Sequence, residues 1–153
     1  MTLTALTPAL AETTLAALYA DDTGLSLSSL VGLLAKPQYR AWSLMDQGGA
    51  YGAICYQCVD HRAELLDLRV SRALRRSGFG GTLLRETLLL IGQRGVRTVD
   101  LEVRESNIPA RSLYAIIGFE IMGRRRDYYP LPRGEREDAI LMSLTLHEAE
   151  KLG

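Results

Sequence analysis

The stretch Arg75-Arg76-Ser77-Gly78-Phe79-Gly80-Gly81 lies between an apolar strand ending at Val70 and an amphipathic helix expected to begin near Thr82. Its glycines let the backbone turn tightly and present N–H groups at a helix N-terminus, where unpaired donors and the helix dipole favour phosphate. Arg75 and Arg76 add positive charge that does not titrate away. The turn therefore reads as an anion cradle for a phosphate-bearing ligand. No Lys-Ser/Thr ending closes it, and the nearest lysines are Lys36 and Lys151, which excludes a Walker A loop. The glycines run G-x-G-G rather than G-x-G-x-x-G, and no repeated strand–helix units surround them, which argues against a dinucleotide crevice.

Downstream, Arg97 to Arg104 alternates: Val99, Leu101 and Val103 form one face and Thr98, Asp100, Glu102 and Arg104 the other, as in a half-buried strand. Glu102 faces away from the apolar side. Asn107 is placed to cap a helix with Pro109 in its first turn, running from Ala110 to Ile117 and stopped by Gly118.

The order Arg75, Gly78, Gly80 resembles the acetyl-CoA signature of the GNAT acetyltransferase superfamily. The run Leu101-Glu102-Val103-Arg104-Glu105-Ser106-Asn107, followed by Ala110, Leu113-Tyr114 and Gly118-Phe119, is similar to one GNAT branch, the bacterial RimI type, which acts on the N-terminal alanine of ribosomal proteins. Arg125-Arg126-Asp127-Tyr128-Tyr129-Pro130 and Glu137-Asp138-Ala139-Ile140-Leu141-Met142 resemble that branch's closing hairpin. The resemblance spans Leu65 to Leu144; the first sixty or so residues match poorly. Thr23 to Ser28 stands where the branch usually carries Pro-Trp-Ser, and Ser71-Arg72 where it often carries Asp-Pro. These departures bear on peptide specificity more than on coenzyme chemistry.

At 153 residues the chain is expected to form a single domain, residues 1–153, with one core of its own. Zero formal net charge and a pI of about 6.7 give no indication of direct DNA binding. No segment has the apolar length of a membrane span, and Met1 to Ala20 lacks a secretion signal, so a cytoplasmic location is expected. Cys55 and Cys58 form a C-x-x-C inside an expected strand, where residues three apart point to opposite faces; with His61 the only nearby imidazole, no metal site is expected.

Periodicity places a strand at Thr2 to Leu6, a helix from Pro8 to about Tyr19, a turn at Asp21 to Gly24, and a short helix capped by Ser26 or Ser28 and ending at Leu34. Strands follow at Tyr39 to Met45, Ala50 to Val59 and Arg62 to Val70, then a helix from Thr82 to Gln93, the Arg97 strand, the Asn107 helix and two closing strands. This is an α/β (α+β) order. The resemblance implies a GNAT fold, with a central, mixed, mostly antiparallel sheet of about seven strands flanked by about four helices and splayed between the fourth and fifth strands.

Acetyl transfer from a thioester to an amine needs a neutral amine, a stabilised carbonyl oxygen and a proton or hydrogen bond for the departing thiolate. The resemblance implies Glu102 as the base, acting through a water, and Tyr114 as the acid. A carboxylate paired with Arg104 or Arg97, and a core tyrosine beside Phe119, are the competing structural readings. It further implies that Leu68 and Val70 contact the pantetheine arm and acetyl group through their backbone, that Asn107 also contacts the arm, and that Arg75, Arg76, Gly78, Gly80, Gly81 and Thr82 hold the pyrophosphate. Tyr128, Tyr129 and Asp138 match peptide-cleft positions; ordinary hairpin packing explains them equally well. Acetyl-CoA is then the cosubstrate, with no metal, and the partner is a protein or peptide with a free N-terminal amine. A monomer is the working expectation for assembly, which the sequence leaves open. A GNAT enzyme acting on lysine or a small amine, and a non-catalytic acyl-CoA-binding module, are the rival readings.

Overall fold

The computed structural model describes residues 1–20 and 24–146. In chain order these form β1 (Thr2–Ala5), α1 (Pro8–Thr14), α2 (Leu27–Leu34), β2 (Tyr39–Asp46), β3 (Gly49–Val59), β4 (Arg62–Val70), α3 (Phe79–Gln93), β5 (Thr98–Arg104), α4 (Ile108–Ile117), β6 (Glu120–Pro130) and β7 (Arg136–Thr145). The strands build one sheet of seven in the order β1-β2-β3-β4-β5-β7-β6. All neighbours are antiparallel except β4 and β5, which are parallel. This is the mixed sheet with four helices that the sequence led us to expect.

The parallel pairing is short. It runs from Arg62 opposite Thr98 to Leu65 opposite Leu101 and then stops, while β4 stays with β3 and β5 with β7. The sheet therefore opens between its fourth and fifth strands. A bulge marks the spot: Tyr56 faces Leu65 and Cys55 faces Asp67, leaving Leu66 without an opposite residue. An extra residue bends a strand and resets its alternation. Leu65 and Leu68 accordingly pack into the same core, while Asp67 and Arg69 turn to the other face.

The faces carry separate cores. Under α3 and α4 lie Leu83, Leu84, Leu88 and Ile91 against Leu101, Val103 and Ile140; under α1 and α2 lie Ala11, Leu15 and Leu30 against Ala41, Ala53 and Cys55. Each fully buried aliphatic side chain contributes about 1.5–3 kcal/mol, several times the tenths of a kcal/mol that separate helix propensities. Packing therefore sets where α3 sits. At its start Phe79 lies so close to β3 that a Cβ on Gly52 would stand 2.8 Å from the Phe79 ring. Cys55 belongs to one core and Cys58 packs against the other, both as free thiols, so the C-x-x-C is split across the sheet.

Three helix boundaries differ from expectation, the simplest being that α4 starts at Ile108, directly after its Asn107 cap, rather than at Ala110. α1 ends at Thr14 rather than near Tyr19, and turns continue to Tyr19. The Thr13 and Thr14 hydroxyls donate to carbonyls one turn back, Thr14 to Leu10 at 2.6 Å, a competition that weakens helix interiors. α3 starts at Phe79, three residues before Thr82, because Gly78 adopts φ 84° and ends the loop there. Ser26, not Ser28, caps α2, accepting from the Ser29 N–H at 3.0 Å. Of the turn expected at Asp21 to Gly24, residues 21–23 lie outside the described residues. Among the described residues no helix is long and apolar enough to cross a membrane.

Candidate functional site

The loop leaving β4 passes through a 3-10 turn at Arg72–Leu74, an extended Arg75, a left-handed Arg76 (φ 63°) and a left-handed Gly78 before α3 begins. The first helical bond is donated by the Thr82 N–H to the Gly78 carbonyl, at 3.1 Å. The N–H groups of Phe79, Gly80 and Gly81 thus have no helical acceptor and sit at the positive end of the helix dipole. These amides stand where the anion cradle is expected, and the N–H and hydroxyl of Thr82 both go to the Gly78 carbonyl. A Cβ on Gly80 would stand 3.4 Å from Val70 Cγ2, so the first turn of α3 lies directly against the end of β4. Arg75 Nε donates to the Val70 carbonyl at 3.1 Å, tying the loop to that strand. Leu68 pairs with Ile54 on the β3 side; from Leu66 onward the edge of β4 toward β5 carries no strand pairing.

Across the opening, Leu101 and Val103 point into the core and Glu102 points to the face of α1 and α2. Its carboxylate is held by Arg125 Nε on β6, 2.9 Å away. Among the described residues neither Arg104 nor Arg97 pairs with it; Arg104 pairs instead with Glu137 at 2.9 Å. Tyr114 projects from α4 and is buried against Phe119, ring centroids 5.6 Å apart. Burial, reinforced by the negative charge of Asp67 on β4, pushes its phenol up to about 12. The group is therefore a proton holder at neutral pH, and its hydroxyl takes no hydrogen bond among the described residues. Asn107 caps α4, its Oδ1 accepting from the Ala110 N–H at 3.3 Å.

The hairpin tyrosines owe their placement to a second irregularity. Arg125 faces Ala139 and Tyr129 faces Glu137, so residues 126–128 oppose Asp138 alone. Asp127 sits at φ 51° in this bulge. Asp138 clasps it, accepting from the Asp127 N–H and from Arg124 Nη1, both at 3.0 Å. The Asp127 hydrogen bond, then the Arg124 guanidinium, hold the Asp138 carboxyl below its ordinary range. Tyr129 stacks under Arg104 at 4.4 Å, and Tyr128 meets Tyr129 edge-on at 5.0 Å. Burial and then the Glu102 charge raise the Tyr129 phenol. The Arg125 guanidinium that holds Glu102 thus also lies 5.2 Å from the Tyr128 ring, and Asp138 fixes the bulge from which Tyr128 projects.

Residues 9–119 match the model of the acetyltransferase (GNAT) family. The chain belongs to this family. It is 40% identical over 94 residues to a [ribosomal protein bS18]-alanine N-acetyltransferase of Haemophilus ducreyi, covering 61% of this chain and 64% of that protein. To the Escherichia coli K12 protein of the same name it is 38% identical over 109 residues, 71% of this chain and 73% of that one. The chain thus spans just under two thirds of the length of the Haemophilus relative. Among solved structures, the ribosomal-protein-S18-alanine N-acetyltransferase of Escherichia coli superposes with a TM-score of 0.83 at 31% identity, covering 94% of this chain and 92% of that one. A Bacillus subtilis acetyltransferase in complex with CoA shares the fold, with a TM-score of 0.71 at 17% identity over 95% of this chain and all of that one.

Within this GNAT fold, sequence reasoning missed two sets of residues. Arg125 enters the sequence reading only as part of the stretch that resembles the closing hairpin, and no local pattern ties it to Glu102, because β7 lies between their strands. Tyr19, Asp67 and Arg69, which meet on the α1 and α2 face, carried no signal at all: their contacts join residues 48 and 44 positions apart.

Proposed function

We propose that this GNAT protein transfers an acetyl group from acetyl-CoA directly to the α-amine of a protein N-terminus, with the N-terminal alanine of a small-subunit ribosomal protein as acceptor. One observation carries the reading: the unpaired amides of α3 and the buried Tyr114 lie on one face of the strand opening, and Glu102 stands at its rim facing the other. The names of the Haemophilus and Escherichia relatives support the same acceptor.

The cradle fits acetyl-CoA. Phe79, Gly80 and Gly81 offer backbone donors, and Arg75 and Arg76 offer charge, for the pyrophosphate. The free edge of β4 at Leu68 can pair with the amide-bearing pantetheine arm, and the Asn107 side chain can reach it from the opposite wall. When bound, acetyl-CoA supplies the acyl group as a thioester. Glu102, through a water, takes a proton from the acceptor ammonium. The nitrogen then forms its bond to the carbonyl carbon as the carbon–sulfur bond breaks, Tyr114 gives its hydroxyl proton to the departing sulfur, and the second proton that the nitrogen sheds on becoming an amide restores the phenol through solvent, leaving the acetylated amine and the CoA thiol. A carboxylate suffices as base for an α-amine, whose pKa is about 7.7–8.0, better than for lysine at about 10.4. Tyr128 and Tyr129 offer an aromatic wall to the peptide that follows the amine. A ribosomal acceptor places the reaction in the cytoplasm.

The test is thiol release from acetyl-CoA, with product masses, comparing a peptide bearing a free N-terminal alanine with an N-blocked peptide bearing lysine. Acetylation confined to the free alanine supports the proposal. Modification of the lysine assigns the protein to another acceptor class, and coenzyme binding with no thiol release from either peptide points to a small-amine substrate or a binding module.

A further inference from the structure

Glu102, Leu141 and Gly123 form one row across β5, β7 and β6, and Arg104, Ala139 and Arg125 form the next. Directly opposed residues share a face of the sheet, so the two arginines flank Ala139 on the face that carries Glu102. They turn apart. Arg104 goes to Glu137 at 2.9 Å and stacks on Tyr129. Arg125 reaches diagonally to Glu102, its Nε 2.9 Å from Oε1, while its guanidinium carbon stands 5.2 Å from the centre of the Tyr128 ring. Small neighbours leave room for that reach: Gly123, in the Glu102 row, has no side chain, and the fully buried Ala139 has only a methyl. Among the described residues Arg125 is the only cationic partner of Glu102, and Oε2 accepts no hydrogen bond.

We propose that Arg125 is a positioning residue for the acetyl transfer, holding Oε1 of Glu102 so that Oε2 is the oxygen that takes the acceptor's proton. The inference rests on the reading of Glu102 as the base. A glutamate side chain turns about several torsions, and without a partner its carboxylate is spread over many rotamers. A base works only from within hydrogen-bond reach of the proton, directly or through one water. Confining the carboxylate before the acceptor arrives therefore raises the rate without any new contact to the substrate. Arg125 suits this task in two ways. Its guanidinium keeps its charge throughout the working range, so it never competes with Glu102 for the proton. It also meets the carboxylate through Nε at a single oxygen, whereas a fork on both oxygens would leave neither for the proton. The Tyr128 ring, within cation–π range, limits where the guanidinium can go on its other side.

The experiment is a double-mutant cycle in steady-state kinetics on the full chain, with a peptide bearing a free N-terminal alanine. Arg125→Met keeps most of the aliphatic stem and removes the guanidinium; it is made in wild type and in Glu102→Gln. The Arg125 side chain is 55% exposed, so the variant should fold. We expect kcat to fall about tenfold in Arg125→Met, with KM for acetyl-CoA within about twofold of wild type. Added to Glu102→Gln, the same change should cost less than about a further twofold, because no working base remains to be aimed. An Arg125→Met protein that turns over like wild type overturns the positioning role. So does a loss repeated in full on Glu102→Gln, since Arg125 then acts apart from the base. Either result leaves Glu102 as the base and the α-amine as the acceptor. A Glu102→Gln protein with wild-type kcat overturns the reading of Glu102 as the base, and the positioning role with it.

Discussion

Arg125 Nε on β6 lies 2.9 Å from Glu102 Oε1 on β5, so the carboxylate at the rim of the opening is held from beyond the intervening strand β7. The pair is solvent-accessible, with side-chain exposures of 55% and 22%, and such pairs contribute about 0–1 kcal/mol. Its reason for existing is therefore orientation more than stability. Glu102→Gln should leave the thermal midpoint within a few degrees of wild type and lower kcat/KM by about 100-fold or more. The deficit should be largest at low pH, where the acceptor amine is protonated. An unchanged pH–rate profile would remove Glu102 as the base.

Tyr114→Phe deletes a hydroxyl that has no hydrogen-bond partner among the described residues, so no buried group is stranded. Folding stability should change by under about 0.5 kcal/mol while turnover drops by roughly 100-fold. With the wild-type phenol pushed up to about 12, chiefly by burial, the hydroxyl stays protonated at neutral pH. The folded-state pKa lies above the unfolded value of about 10, so this phenol leaves stability unaltered below about pH 10 and lowers it as pH climbs from there toward 12. A pH–rate profile without an alkaline limb from this group up to about pH 10 is the kinetic counterpart.

Gly78 and Gly80 separate conformation from space. Nothing lies within 4 Å of a Cβ at Gly78, yet its φ of 84° strains any other residue, so Gly78→Ala should cost about 1–2 kcal/mol by denaturant titration. Gly80 has ordinary helical φ, but a Cβ there would already stand 3.4 Å from Val70. Gly80→Val should therefore weaken acetyl-CoA binding at least tenfold by calorimetry, through crowding at the cradle. Unaltered affinity would refute the site.

Asp138 is expected to act through the bulge it clasps. Asp138→Asn keeps the size and loses the charge that meets Arg124 and the Asp127 N–H. Because the folded-state carboxyl is depressed, its stabilisation is present above about pH 4 and is lost as pH falls through the lowered value. The thermal midpoint of the variant should therefore depend less on pH in that acidic window. The same change should raise KM for the peptide, by releasing Tyr128 and Tyr129, and leave KM for acetyl-CoA alone.

Local chemistry made much of this protein legible. The alternation around Glu102, the capping Asn107 with Pro109, the stopping Gly118 and the glycine turn after Val70 each depend on neighbours a few residues apart, and the structure has them where they were expected. Errors of boundary arose where a local rule met a competitor, as when threonine hydroxyls end α1 early and Gly78 starts α3 sooner than the apolar stripe indicates.

The sequence by itself determined the order of elements, the glycine turn that opens α3 and the likeness to the GNAT branch, because these reside in short-range periodicity, turn chemistry and motif order. Only the tertiary structure decided at which residues the expected opening between the fourth and fifth strands begins, which arginine holds Glu102, what Asp138 supports and that Asp67, Arg69 and Tyr19 meet. Each depends on a one-residue bulge or on strands brought together from distant parts of the chain. A bulge at Leu66 or at residues 126–128 changes which face every later side chain takes, and that shift is set by pairing and packing across the sheet rather than by the residues beside it.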